Sequence, residues 1–204
     1  MKYLKLVFCA LPLVVPSVQA GQVTLHANGF DLGYDDQALG NFQAPRLSNN
    51  TIYFTPTVFS SSSLDGSASD ITNSTLQLTL KATGPDRKFT AFNFVEQGNY
   101  ILTGGGASAS VFGQMSVRNI SDVLSESSAF LEGAAQLDQQ GINSWESSAY
   151  VDGSTGDWKP DGSGVILTIS NILTTSTQQL GEIAYIEKQF IGGVNVLSSP
   201  SVVP

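Results

Sequence analysis

The chain has 204 residues, of which 17 are acidic and nine are basic, so its formal net charge is −8. An acidic chain without clustered lysine and arginine does not predict a nucleic-acid partner, because phosphates attract basic side chains. The same charge argues against binding to an anionic membrane surface. The one cysteine, Cys9, lies in a segment that we expect to be removed, which excludes disulfides and cysteine-based zinc sites from the mature chain.

The first twenty residues have the layout of a secretory signal peptide. Lys2 and Lys5 give a positive start, residues 6–15 are apolar, and Val18-Gln19-Ala20 supplies a small-residue cleavage site. An apolar stretch of about ten residues is too short to span a bilayer, which takes roughly twenty. We therefore expect cleavage after Ala20, a secreted or periplasmic protein, and no membrane span after cleavage.

Alternation of apolar and polar residues predicts β-strands in the remainder of the chain. In residues 75–81, Leu76, Leu78 and Leu80 face one way and polar residues face the other. Candidate strands, in chain order, cover residues 22–27, 51–59, 75–81, 89–96, 99–102, 111–118, 145–151, 165–169 and 183–190. Roughly nine or ten strands separated by Gly, Ser, Asn and Asp turns predict an all-β fold, an antiparallel β-sandwich of jelly-roll type.

The segments between these strands predict loops and one ambiguous region. Residues 60–69 are rich in serine and predict a polar loop, and residues 152–164 predict a Gly- and Asp-rich loop. Residues 122–140 have near-helical apolar spacing but mediocre helix formers, so we predict strand plus loop, with a short helix as the alternative. We expect one domain over residues 21–197 and a flexible tail over residues 198–204.

Two tryptophans are candidates for ligand binding, because flat aromatic rings stack on sugar rings. Trp158 lies in the predicted loop, whereas Trp145 begins a predicted strand. Structural anchoring in the core is the competing interpretation for both residues, since aromatic side chains bury large areas.

Calcium is the metal that the sequence favours, because hard oxygen ligands on a Gly-rich loop suit this ion. Asp152, Asp157 and Asp161 lie in one such loop. Their spacing does not follow the EF-hand pattern, and Asp and Gly are also ordinary turn residues. The sequence predicts no other cofactor.

No catalytic set is evident in the sequence. A Ser-His-Asp triad needs a positioned histidine and a nucleophile on a sharp turn, but the single histidine is His26 and no Gly-x-Ser-x-Gly motif occurs. Glycoside hydrolysis needs two carboxylates across a cleft, and Glu96 with Glu187 is the pair that a sandwich could bring together. We therefore predict no catalytic residues and no enzyme activity.

Four segments together resemble a known group of exported proteins. They are residues 51–59 (TIYFTPTVF), 96–100 (EQGNY), 170–173 (SNIL) and 184–193 (AYIEKQFIGG). In this order they resemble secreted bacterial proteins of the PEP-CTERM type, which exosortase sorts to the envelope, over roughly residues 40–193. The resemblance implies association with extracellular polysaccharide or biofilm and assigns no site residue. The sorting tail of that group is not seen before Pro204, so we expect free secretion or a periplasmic location instead of anchoring.

These observations predict a secreted, non-catalytic β-sandwich with a structural or adhesive role in the extracellular matrix or envelope. The alternative is a carbohydrate-binding module that uses Trp158, with extracellular polysaccharide as its partner. A glycosidase or polysaccharide lyase is a third hypothesis. The sequence leaves the oligomeric state open.

Overall fold

The computed structural model describes residues 21–56, 58–84, 87–122, 124–153 and 164–200. Within these ranges the chain forms twelve β-strands and one 3₁₀ turn, Gly40–Phe42. The strands are β1 (Gln22–His26), β2 (Phe30–Asp35), β3 (Arg46–Ser48), β4 (Thr51–Phe54), β5 (Ser60–Leu64), β6 (Ala68–Ala82), β7 (Arg87–Thr103), β8 (Ser108–Asn119), β9 (Glu126–Phe130), β10 (Gly141–Asp152), β11 (Val165–Thr177) and β12 (Ile183–Pro200). The predicted all-β class is confirmed, and the described ranges contain no helix that is long and apolar enough to cross a membrane.

The strands form two six-stranded antiparallel sheets. The first sheet has the order β1-β2-β6-β11-β8-β9, and the second has the order β10-β7-β12-β4-β3, with β5 also paired to β12. The core lies between the two sheets, so the predicted antiparallel sandwich is confirmed. The more specific jelly-roll connectivity stays a prediction.

The alternation that predicted the strands also orients their side chains. Leu76, Leu78 and Leu80 of β6 are buried, and the polar residues between them are more exposed. Leu78 lies opposite Leu167 of β11, another buried leucine, so neighbouring strands of the first sheet present matched apolar rows to the core. Because successive side chains point to opposite faces of a strand, this register buries one face of each strand.

Aromatic side chains fill much of the space between the sheets. Phe30 meets Phe89 edge to face, with ring centroids 6.1 Å apart. The 3₁₀ turn between β2 and β3 contributes Phe42, whose ring meets Phe54 at 5.9 Å and Phe59 at 5.7 Å, also edge to face. All five rings are buried, so a connecting segment supplies part of the core.

The prediction of a serine-rich loop over residues 60–69 is wrong, because this segment includes β5 and the start of β6. Ser61 and Ser63 of β5 point inward, where their hydroxyls lie 2.8 Å from those of Thr175 and Thr177 of β11. The inward-facing positions of this strand hold serines that form hydrogen bonds and not apolar residues. The sequence therefore lacks the apolar-polar alternation that would have predicted a strand. The predicted strand over residues 51–59 correspondingly ends at Phe54.

The ambiguous segment 122–140 contains the short strand β9 and loop, and its described residues include no helix. Gly133 has a φ of +107°, which interrupts any helical continuation of the apolar spacing. Leu131, Ala134 and Leu137 are nevertheless buried, because the loop folds back over the core. The apolar residues therefore mark burial and not a helix.

The strand count differs from the predicted nine or ten. The predicted set omits β2, although Phe30, Leu32 and Tyr34 alternate there with polar residues or glycine. It also omits β3, β5 and β9, which lack a clear alternating signal, while residues 89–96 and 99–102 belong to the single strand β7. The backbone of β12 continues to Pro200, which pairs with Arg87, so residues 198–200 of the expected tail belong to a strand. Residues 1–20 and 201–204 lie outside the described residues.

Candidate functional site

Three polar side chains lie in the core among apolar residues of their own strands. Glu96 lies on β7, Asn171 on β11 and Lys188 on β12. Their residues are 0%, 1% and 3% exposed. Since β7 and β12 belong to the second sheet and β11 to the first, this buried cluster spans the space between the sheets.

The buried cluster centres on one carboxylate oxygen. Lys188 Nζ and Asn171 Nδ2 each donate a hydrogen bond of 2.5 Å to Oε2 of Glu96. The other two acceptors of the cluster, Oε1 of Glu96 and Oδ1 of Asn171, have no hydrogen-bond partner within the described residues. Buried polar atoms are normally satisfied, so two orphaned oxygens in one cluster mark an unusual site.

Aromatic rings enclose the lysine end of the buried cluster. Lys188 Nζ lies 4.6 Å from the ring centroid of Phe59 and 5.8 Å from that of Trp145. The backbone N–H of Lys188 donates to the carbonyl of Phe59 at 2.9 Å. The indole N–H of Trp145 donates to the carbonyl of Glu187 at 3.2 Å, which fixes the ring against β12.

Burial moves both ionisable groups toward their neutral forms. Desolvation raises the pKa of Glu96, although the charge of Lys188 and the hydrogen bonds from Lys188 and Asn171 oppose the shift. Desolvation also lowers the pKa of Lys188 to about 8, against the charge and hydrogen bond of Glu96. Because an apolar environment disfavours charge, burial brings the pKa values of the two groups closer together than they are in water.

A polar groove lies on the outer face of the second sheet, which carries Glu96 and Lys188 on its inner face. It has a volume of about 550 Å³. Its lining combines the amide, hydroxyl and carboxylate groups of Gln97, Asn99, Ser144, Glu146 and Gln189 with Gly98 and Trp145. Gln97 Nε2 donates to Oε2 of Glu146 at 2.7 Å, and Gln189 Nε2 donates to Oε1 of Glu187 at 2.8 Å. These side chains alternate with those of the buried cluster, so the two sites lie on opposite faces of the sheet.

A β-bulge shapes one side of the groove. Lys188 pairs with Gly98, but Phe190 pairs with Gln97, so Gln189 is an extra residue in β12. A bulge re-aims side chains next to it and increases local twist. The bulge therefore places an exposed amide beside the groove immediately after the inward-pointing Lys188.

The structure gives Trp145 a different environment from that of an exposed sugar platform. Trp145 is 5% exposed and packs in the core, with its indole N–H bonded to the backbone. This burial fits the structural interpretation of Trp145, which also lines the groove, and its role in ligand binding stays a prediction. Trp158 lies outside the described residues, so its role in ligand binding stays a prediction.

The calcium site also stays a prediction. Asp152 ends β10 opposite Ala91, while Asp157 and Asp161 lie outside the described residues. Within the part of the chain that the structure describes, no three His, Cys, Asp or Glu side chains are grouped as metal ligands.

Glu96 and Glu187 do not share a cleft. Glu96 is buried between the sheets, whereas Glu187 lies on the outer face of β12 and accepts hydrogen bonds from Tyr185 and Gln189. The reason is the register, which pairs Glu187 with outward-facing Asn99. This pair is therefore not a two-carboxylate glycosidase site.

Sequence reasoning missed Asn171 and Lys188. One signal was present, because Asn171 interrupts the inward series Leu167, Ile169 and Leu173 of β11. A polar residue at an apolar position of an alternating strand indicates either a bulge or a buried polar site. Lys188 carried no comparable signal, since its strand alternates only briefly before the bulge.

No family model, curated protein or solved structure matches this chain. The resemblance to PEP-CTERM-type proteins stays a prediction.

Proposed function

We propose that this protein is a secreted, non-catalytic β-sandwich with a structural or adhesive role in an extracellular matrix or envelope. The supporting observation is how the chain uses its buried carboxylates. In the described ranges two acidic side chains are buried, Glu96 and Glu182, and both hold separate elements together. A carboxylate that acts on an external substrate would instead be directed into a cleft that the substrate can enter.

Glu182 shows this use most directly. It lies in the turn between β11 and β12 and accepts backbone N–H bonds from Gln178 at 2.7 Å, Gln179 at 2.9 Å and Gly106 at 2.6 Å. The bond to Gly106 ties this turn to the turn between β7 and β8. The hydrogen bonds, led by that from Gln178, lower the pKa of Glu182 against the effect of burial.

A substrate panel tests the absence of catalysis. The mature chain is incubated with polysaccharides and esters, and products are measured by reducing-end and acid-release assays. We expect no turnover. Turnover that disappears in Glu146→Gln or Glu187→Gln would refute the proposal and support the glycosidase or lyase alternative, because Glu146 lines the groove and Glu187 accepts a hydrogen bond from Gln189 of its lining. Gln77→Ala, on the first sheet, is the matched surface control.

Carbohydrate binding is the second candidate, and the polar groove favours it. Sugar hydroxyls both donate and accept hydrogen bonds, which suits a lining of amides, a hydroxyl and a carboxylate. Extracellular polysaccharide, the partner that the resemblance to PEP-CTERM-type proteins implies, carries such hydroxyls. Binding would extend the adhesive role without requiring catalysis.

A glycan array with groove variants tests this candidate. We expect Gln97→Ala and Asn99→Ala to weaken binding, because each removes an amide from the groove, and Gln77→Ala to leave it unchanged. Trp158→Ala tests the predicted contribution of that tryptophan in the same assay. An array without any bound glycan, or equal binding by all variants, would count against carbohydrate recognition.

A further inference from the structure

The buried cluster brings an amine, a carboxamide and a carboxyl group to a single point. Lys188 Nζ and Asn171 Nδ2 are both 2.5 Å from the same oxygen of Glu96, so the amine and the carboxamide are close neighbours. The ion pair alone does not account for Asn171, whose Oδ1 is buried without a partner. A partly satisfied buried network is costly, which suggests that these groups have a further use.

We propose that Lys188 and Asn171 react with each other to form an intramolecular isopeptide bond between Nζ and Cγ, with Glu96 as the general acid and base. The bond would link β12 of the second sheet to β11 of the first sheet through the core. It is independent of the proposed role outside the cell, since its evidence lies entirely in the buried cluster.

The reaction is a transamidation that needs no oxidant, reductant or cofactor. Glu96 takes a proton from Nζ of Lys188, and the neutral amine attacks Cγ of Asn171. A tetrahedral intermediate forms, with negative charge developing on Oδ1. Glu96 passes its proton to Nδ2, the Cγ–Nδ2 bond breaks, and ammonia leaves. The Glu96 carboxylate then takes the second proton from the former lysine nitrogen, which becomes a neutral amide N–H, and transfers this proton to the departing ammonia. The products are one secondary amide and one ammonium ion, and Glu96 ends as the carboxylate with which it began.

The surroundings supply what this reaction requires. Desolvation favours the neutral amine of Lys188, and a desolvated lysine is an activated nucleophile. Glu96 has a raised pKa, which allows it to hold and return a proton. Folding holds amine and amide side by side, and such proximity corresponds to effective concentrations of about 10⁵ M or more in well-oriented systems. Phe59 and Trp145 cover the amine and keep out water that would otherwise compete.

The orphaned oxygens fit the same reaction. A neutral Glu96 carries an O–H that can donate to Oδ1 of Asn171, and this hydrogen bond would stabilise the charge that develops there. The two orientations of a side-chain amide exchange its oxygen and nitrogen, so either can face Glu96. The two unpartnered acceptors thus become a donor and acceptor pair during the reaction.

Intact-mass measurement of the folded mature protein tests the proposal. Release of one ammonia lowers the mass by about 17 Da relative to the sequence. Condensation of Lys188 with Glu96 would instead release water, lowering the mass by about 18 Da, and would overturn the proposed choice of Asn171. A folded protein that keeps its full sequence mass after prolonged incubation would overturn the bond itself.

Peptide mapping locates the bond. Cleavage after glutamate separates residues 147–182 from residues 188–204, because Glu146, Glu182 and Glu187 are the cleavage points in this region. We expect these two peptides to remain joined under denaturing and reducing conditions, with residues 183–187 released. Recovery of two separate peptides, with the ammonia loss elsewhere, would assign the mass change to another reaction such as asparagine succinimide formation and refute the bond.

Variants test each role. Lys188→Met and Asn171→Leu should abolish the mass loss, and Lys81→Met, at an exposed site of β6, should retain it. Glu96→Gln keeps the size of the side chain but removes the acid and base, so the folded variant should remain uncrosslinked. If it does not fold, Glu96→Asp provides the second test, and bond formation as fast as in the wild type would overturn the role of Glu96.

Discussion

Replacement of Phe42 by alanine tests the aromatic packing next to the buried cluster. The ring of Phe42 is fully buried and meets both Phe54 and Phe59 edge to face. Removing a buried phenylalanine side chain costs about 3–5 kcal/mol of unfolding free energy through lost transfer energy and the cavity left behind. Phe42→Leu keeps most of the volume and mainly loses two aromatic pairs, each contributing about 0.5–1.5 kcal/mol, so it should cost about 1–3 kcal/mol.

Urea unfolding followed by the fluorescence of buried Trp145 measures this effect. With a denaturant slope of about 3 kcal/mol/M, Phe42→Ala should lower the midpoint by about 1–2 M. Phe130→Ala is the control, because this side chain is 73% exposed and should change stability by no more than about 0.5 kcal/mol. Equal midpoints for Phe42→Ala and Phe130→Ala would refute the view that the 3₁₀ turn completes the core.

The same substitution links the core to the proposed reaction. The ring of Phe59 contacts Phe42 and also lies near Lys188, with its centroid 4.6 Å from Nζ. Loss of Phe42 removes support from that ring and admits water to the amine. We therefore expect slower isopeptide formation in folded Phe42→Ala than in Phe130→Ala, measured by intact mass over time.

Three further predictions concern the backbone, a buried carboxylate and the loop. Gly98→Ala should destabilise the protein by about 1–3 kcal/mol in urea unfolding, because the added Cβ would lie 1.9 Å from the carbonyl oxygen of Glu187. Gly105→Ala is the control and should leave the stability unchanged, because its Cβ would have no neighbour within 4 Å. Because the pKa of Glu182 is lower in the folded protein than its unfolded value near 4.5, ionised Glu182 stabilises the fold above that pH. Wild type should therefore melt at a higher temperature than Glu182→Gln at neutral pH, and this difference in melting temperature should become smaller as the pH falls through the folded pKa. A difference that becomes larger in acid would contradict this prediction. Calcium bound at residues 152–161 predicts a higher melting temperature in calcium than in chelator, and an unchanged melt would end that hypothesis.

Local alternation was sufficient to predict the fold class. Leu76, Leu78 and Leu80 identify a half-buried strand without any knowledge of its neighbours, because side chains of a strand point alternately to its two faces. The same reasoning failed for β5, where Ser61 and Ser63 face inward. Their burial depends on hydroxyl partners from β11, which are more than one hundred residues away in the chain.

The sequence by itself determined an acidic, cysteine-poor chain of alternating strands, since composition and period are local properties. Only the tertiary structure decided which polar residues are buried and brought together in the buried cluster. Lys188 and Asn171 lie 92 and 75 positions from Glu96 in the chain, yet all three contact within the core. Strand register and the stacking of the two sheets produce that meeting. Both arise from pairing and burial summed over the whole domain, which no single segment encodes.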